Sequence, residues 1–198
     1  MSKEYDCPAV FPISIILAVF TFSVCWIVAD IGDPEWIFGV NMLSDMGASS
    51  VDVTRFLFNF SCIVCGLILM AFGMSKVMCR AGFEVYSGFF LTPAGFFLAM
   101  VGVFPSDYVS WLHLTVAYCF GICALLSVLI SLSDCWKRQR MISFGFGIAL
   151  LAVGLATAAS GSSALVETWL VIMFLVWILI DSARVVIDDY LRKGKRTA

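Results

Sequence analysis

The sequence predicts an all-α integral membrane protein, a bundle of six transmembrane helices with both the N- and C-termini cytoplasmic. Three observations predict it. Of the 198 residues, 62% are hydrophobic and 13% charged, and mean hydropathy is +1.01, where a soluble domain is roughly half apolar. The apolar residues fall in blocks longer than the roughly 18 that mark a spanning helix. The lysines and arginines are segregated to alternate connections between those blocks.

The first block, Val10 to Ala29, follows a short polar segment. It is long for a signal-peptide core, and no small-x-small cleavage site follows it, so it is read as a retained helix. Spans are expected near 10–31, 54–75, 83–104, 111–133, 141–159 and 167–187. Unsatisfied backbone is costly in lipid, so these runs should be helical, and each is longer than the 9–11 residues of a barrel strand. They form a single transmembrane domain over 1–198, with little chain left for a soluble one. The longest connection, 32–53, carries Trp36, Ile37, Phe38, Met42 and Leu43, which suits an interfacial or partly re-entrant element better than a bare loop. Ser50 with Asp52 is expected to cap helix 2. Pro93 should kink helix 3 or loosen its backbone bonding.

Orientation follows from the basic residues. Lys76 and Arg80 lie between helices 2 and 3, Lys137, Arg138 and Arg140 between helices 4 and 5, and Arg192, Lys193, Lys195 and Arg196 in the tail. With Lys3 and Arg184, that puts eleven of the twelve basic residues at one end and Arg55 alone at the other. The bias makes the basic end cytoplasmic and the location the cell membrane. The opposite end carries Asp33, Glu35, Asp45, Asp52, Asp107 and Glu167.

Small residues let helices approach closely in a bilayer. On helix 3, Gly88, Thr92, Gly95, Ala99 and Gly102 fall on one stripe; on helix 2, Asn59, Gly66 and Gly73 recur every seven residues. On helix 4, His113, Ala117, Gly121 and Ala124 share a face, and helix 5 is rich in Gly and Ala almost all round. These faces are expected to form the bundle interior, with packing as their main role.

Ionisable residues in a membrane are costly and often functional. Ser44, Asp45, Arg55, Asn59, Asp107, His113 and Glu167 all map to the outer end. Arg55, Asn59 and His113 sit on interior faces, so these seven are the candidate ligand-binding residues, able to converge beneath the 32–53 segment. A structural reading stands beside that one: Arg55 paired with Asp107, Asp45 or Glu167, Asn59 bonded to backbone, and His113 satisfied near the interface. A second set, Glu84, Asp181 and Arg184, lies toward the basic end, with Asp181 and Arg184 spaced for an ion pair on one helix. It reads as interfacial anchoring. A proton path from Glu167 to Asp181 is disfavoured, because Phe174 occupies the middle of their shared face.

The eight cysteines avoid the outer connections, so a secreted-type disulfide framework is not expected. Cys62 and Cys65 form a CxxC inside helix 2, with Cys119 and Cys123 at similar depth. Quinone-linked thiol oxidoreductases carry such pairs but relay through cysteines in an outer loop, which this chain lacks. Buried thiols in apolar surroundings are inert. His113 is the only histidine, which excludes a multi-histidine metal site. No Walker loop, nucleophile elbow or dinucleotide fingerprint occurs, so no cofactor is expected. The Asn59-Phe60-Ser61 sequon lies within a membrane helix and is fortuitous. No basic stripe suggests nucleic acid.

Leu43-Ser44-Asp45-Met46-Gly47, Phe58-Asn59 with Gly66, Gly102-Val103-Phe104-Pro105 and His113 together resemble the domain of unknown function 998 family of prokaryotic membrane proteins. The resemblance spans helices 1 to 4, about half the chain; the last two helices match by hydrophobicity only. It implies a small polytopic bundle, supplies no activity, and singles out Ser44, Asp45, Asn59 and His113.

The sequence leaves three functions open. The first is a non-enzymatic protein that binds a membrane lipid or small amphipathic ligand in an outer-leaflet pocket, or serves as a partner subunit or homo-oligomer. The second is a lipid-active enzyme using His113 as base with Asp45 or Asp107. The third is a small transporter.

Overall fold

A computed structural model describes residues 8–159 and 161–197. Six helices follow the hydropathy blocks: α1 Val10–Gly32, α2 Asp52–Cys79, α3 Phe83–Val103, α4 Ser110–Lys137, α5 Met141–Ala158 and α6 Ser163–Thr197. Each is long and apolar enough to cross a membrane. The protein is a multi-pass membrane protein. Successive helices run antiparallel, and each packs on its neighbours in sequence, with α1 meeting α6 to close the ring. The basic residues of the connections thereby share one end, and the acidic residues the other.

Helices α2 and α4 run further toward the basic end than hydropathy alone indicates, to Cys79 and Lys137. Lys76 thus lies inside α2, not in a connection. Helix α2 begins without a side-chain cap. Ser49, not Ser50, is the local acceptor, taking the Val51 N–H at 3.0 Å. Asp52 is already the first helical residue, where its charge suits the dipole. Helix α3 continues through Pro93, and beside that break the Thr92 hydroxyl donates to the Gly88 carbonyl at 2.9 Å.

The small-residue stripes of α2 and α3 face each other. A Cβ on Gly66 would lie 2.5 Å from the Ala99 nitrogen, one on Gly95 2.4 Å from the Met70 nitrogen, and one on Gly102 2.4 Å from the Asn59 carbonyl oxygen. These are backbone-to-backbone contacts, so hydrogen is the only substituent the spacing admits. The stripe expected on α4 is different. Gly121 is exposed, with open space where a Cβ would stand. The inward face keeps His113 and Ala124 of that stripe and adds Val116, Ser127, Val128 and Ser131, and Ala117 packs against the core, so Gly121 alone departs from it. On α5 only Gly147 and Gly154 are buried.

Two apolar layers fill the ring, and a third cluster, Val128, Leu132, Cys135 and Trp177, packs beside them at the basic end. Toward the acidic end, Phe22, Trp36, Leu43, Met46, Phe58 and Cys62 pack together. Toward the basic end, Ile15, Leu69, Phe72, Leu91 and Ile178 do so. Phe174 closes edge-on against Phe120, with ring centroids 5.5 Å apart.

Candidate functional site

The 32–53 connection folds back onto the acidic mouth of the bundle. Its centre is a 3-10 helix, Leu43–Ala48, which buries Leu43, Ser44, Met46 and Gly47. The Asp45 carboxylate accepts the Met42 N–H at 2.8 Å, closing the first turn. Trp36 steadies the approach by donating its indole N–H to the Met42 carbonyl at 2.8 Å. Ser49 donates to Asp33 at 2.5 Å. The segment is therefore tied at both ends and plugged by apolar side chains in the middle.

Two side chains of the bundle hold it. Asn59 of α2 donates its Nδ2 to the Gly47 carbonyl at 3.0 Å. A Cβ on Gly47 would come within 2.7 Å of the Asn59 Oδ1. Glu167 of α6 accepts the Ser44 N–H on Oε1 at 3.2 Å. Its other oxygen, and the Asn59 Oδ1, are buried without a hydrogen-bond partner among the described residues. Asp45 and His113 lie within electrostatic reach of Glu167.

His113 is buried, and its Nδ1 lies 2.8 Å from the Phe104 carbonyl. A carbonyl only accepts, so Nδ1 carries the proton, and the lone pair of the neutral ring is on Nε2. The ring is oriented by backbone, not by a carboxylate. Asp107 is engaged by Arg55 instead, as an ion pair whose side chains are 39% and 43% exposed for Arg55 and Asp107.

The seven sequence candidates thus form two neighbouring groups. Ser44 and Asp45 lie in the 3-10 helix, Asn59 and Glu167 hold it, and His113 bonds to the α3–α4 connection. Arg55 and Asp107 lie on the rim. Beside the rim runs a shallow groove of about 360 Å³, lined by Asp52, Arg55, Phe56, Asn59, Phe60 and Ile63. Phe56 and Phe60 are exposed and stack at 5.6 Å along it.

Asn59→Ala is expected to leave the buried Gly47 carbonyl unpaired and cost about 1–3 kcal/mol. Limited proteolysis between residues 33 and 51 should quicken in this variant, and an unchanged cleavage rate would show that Asn59 does not hold the segment. Arg55→Gln should lower stability by no more than about 1 kcal/mol, since its ion pair is half in solvent; a thermal melt in detergent measures this.

A second polar assembly, at the basic end, is larger than the sequence suggested. Lys76 is 1% exposed, and its Nζ lies 2.7 Å from Asp181, 2.9 Å from Glu84 and 3.1 Å from the Ser87 hydroxyl. Arg184 pairs with Asp181 at 2.5 Å, with Asp134 at 3.3 Å and with Glu84. Ser131 donates to Asp181 at 2.7 Å, and Ser127 to the Ser87 carbonyl at 3.0 Å. Arg138 and Arg140 close the set on Asp134, and Arg140 and Arg80 reach Asp188 and Asp189. Sequence reading named Glu84, Asp181 and Arg184 but missed Lys76, Asp134 and the serines. The available signal was spacing: Ser127, Ser131 and Asp134 recur at helical intervals on α4.

Six of the described cysteines, Cys62, Cys65, Cys119 and Cys123 among them, are free thiols. Cys79, at the basic end, is disulfide-bonded. Cys65 donates its S–H to the Ala18 carbonyl at 3.0 Å, a packing role for one half of the CxxC.

The family model described as "Protein of unknown function (DUF998)" matches residues 16–183. The chain belongs to this family. The match runs through α5 and into α6, so membership in the DUF998 family extends beyond the four helices that carry the short motifs. No curated protein and no solved structure matches the chain. Of the residues that carry the resemblance, Ser44 and Asp45 lie in the 3-10 helix, Asn59 holds it, and His113 ties the α3–α4 connection to the start of α4.

Proposed function

We propose that this protein binds an amphipathic lipid at the acidic end of α2, in the outer leaflet of the cell membrane, with both termini and the basic end cytoplasmic. The observation that carries the reading is the composition of the groove. Arg55 is the lone basic residue at that end and borders it together with Asn59, while Phe56, Phe60 and Ile63 extend it toward the hydrocarbon. A guanidinium offers five N–H donors, so Arg55 can hold Asp107 and a lipid phosphate together. Exposed stacked aromatics suit the interface, where one edge is wet and the other apolar. The charge bias supports the orientation.

Transport has less support. Glu167 and Asp181 are fourteen residues apart on α6, about 21 Å at helical rise, and the intervening space is filled by the two apolar layers. Catalysis by His113 would need its Nε2 near a bound ester, and its Nδ1 is held by a backbone carbonyl where a catalytic pair would place Asp45 or Asp107.

The test is photocrosslinking in vesicles that carry a phosphatidylglycerol with a headgroup-proximal diazirine. Adducts should concentrate on the peptide covering residues 52–63 and fall several-fold in Arg55→Gln and in Phe60→Ala. Labelling no denser there than on other bilayer-facing segments would overturn the reading.

A further inference from the structure

At the basic end most of the cations whose side chains are described are neutralised. Lys76, Arg80, Arg138, Arg140 and Arg184 each lie within ion-pair distance of a carboxylate. Among the residues there whose side chains are described, Lys137 has no carboxylate within ion-pair distance. It is exposed at the end of α4, and its ammonium stands 4.3 Å from the centroid of the Phe83 ring. A ring face attracts and positions an ammonium, but it leaves the full positive charge in place.

Beside Lys137, α4 and α5 part to leave a groove of about 440 Å³. Its lining changes character with depth. Lys137 and Trp136 stand at the basic end, and Leu129, Phe144, Ile148 and Leu151 wall the rest. From 137 back to 129, α4 rises about 12 Å toward the bilayer centre, and α5 rises about 10 Å from 144 to 151. Gly147 fixes how closely α5 lies to the bundle, since a Cβ there would stand 2.3 Å from Leu132 and 2.6 Å from Trp177. The groove therefore presents a positive charge and an indole at interfacial depth, continuous with an apolar slot reaching inward.

We infer that this groove binds an anionic phospholipid of the leaflet at the basic end. The lipid phosphate meets the Lys137 ammonium, Trp136 packs at headgroup level, and one acyl chain lies along Leu129, Phe144, Ile148 and Leu151. A zwitterionic headgroup brings its own cation and gains less from Lys137. This site shares no residue with the groove at Arg55 and does not depend on it.

The test is native mass spectrometry of the full chain released from nanodiscs made of equal parts phosphatidylglycerol and phosphatidylcholine with matched acyl chains. The wild type should retain phosphatidylglycerol several-fold over phosphatidylcholine. Lys137→Gln should bring that ratio to about one, Lys137→Arg should preserve it, and Ile148→Trp, which fills the slot, should lower the retained lipid by one molecule. Arg55→Gln should leave the preference assigned to Lys137 in place. No enrichment in the wild type, enrichment that survives Lys137→Gln, or enrichment lost only in Arg55→Gln would each overturn the proposal. An unaltered lipid count in Ile148→Trp would overturn the acyl placement.

Discussion

Asp181→Ala is expected to destabilise the bundle by about 3–5 kcal/mol, the range for removing one partner of a buried ion pair. Asp181 is 2% exposed and receives Lys76, Arg184 and the Ser131 hydroxyl. Its loss strands Lys76 with Glu84 and Ser87 alone, at a depth where water cannot replace the missing carboxylate. The cost comes mainly from the charge left behind. Accordingly, Asp181→Ala combined with Lys76→Met should be less destabilised than the sum of the two single variants, because groups in one network are not additive. Equilibrium unfolding in mixed micelles measures all three. A single-variant cost under about 1 kcal/mol would show that the cluster is solvated and that its short distances carry little energy.

The second large effect is expected at the α2–α3 contact. Gly95→Leu should prevent folding, and Gly95→Ala should cost about 1–3 kcal/mol or somewhat more, as overpacking does. The new atom would meet the Met70 nitrogen at 2.4 Å and the Gly66 carbonyl oxygen at 2.6 Å. Neither is the end of a flexible side chain, so the helices themselves must part. Gly121→Leu and Gly145→Leu provide the contrast, since open space surrounds both positions. Thermal melts in detergent should separate the two classes by ten degrees or so, in keeping with about 2–4 °C per kcal/mol for a chain of this size. Equal losses at all three positions would mean that glycine acts through backbone freedom and not through close approach.

What the sequence made legible follows a physical division. Spans were legible because the cost of exposed backbone in lipid writes a long apolar run into every crossing helix. The α2–α3 contact was legible because close approach demands small residues at helical spacing, and Gly66, Gly73, Gly88 and Gly95 keep it. The same reasoning erred on α4, where Gly121 shares spacing with His113 but has no neighbour to approach. The fold of 43–48 was hidden because a single 3-10 turn has no 3.6-residue period to read. Arg55, Asn59 and Glu167 were found because polar residues stand out against an apolar background. Lys76 and Asp134 were missed for the opposite reason: near a helix end, a buried ion looks like an interfacial anchor. Only a partner on another helix distinguishes them, and Asp181 is 105 positions away from Lys76.

The four innermost charges form a closed square: Lys76 with Glu84, Glu84 with Arg184, Arg184 with Asp181, and Asp181 with Lys76. Its sides divide in a way that matters while the chain is being made. Lys76 and Glu84 belong to adjacent helices, and Asp181 and Arg184 belong to one helix. Each half is electrically neutral on its own, and Asp134 likewise has Arg138 four residues on. An α2–α3 hairpin can therefore leave the insertion machinery carrying its own counter-ion, and α6 can arrive much later carrying another. Final assembly is then an exchange of partners between two neutral pieces. Neither half of the square requires a bare ion to wait in the bilayer for the other.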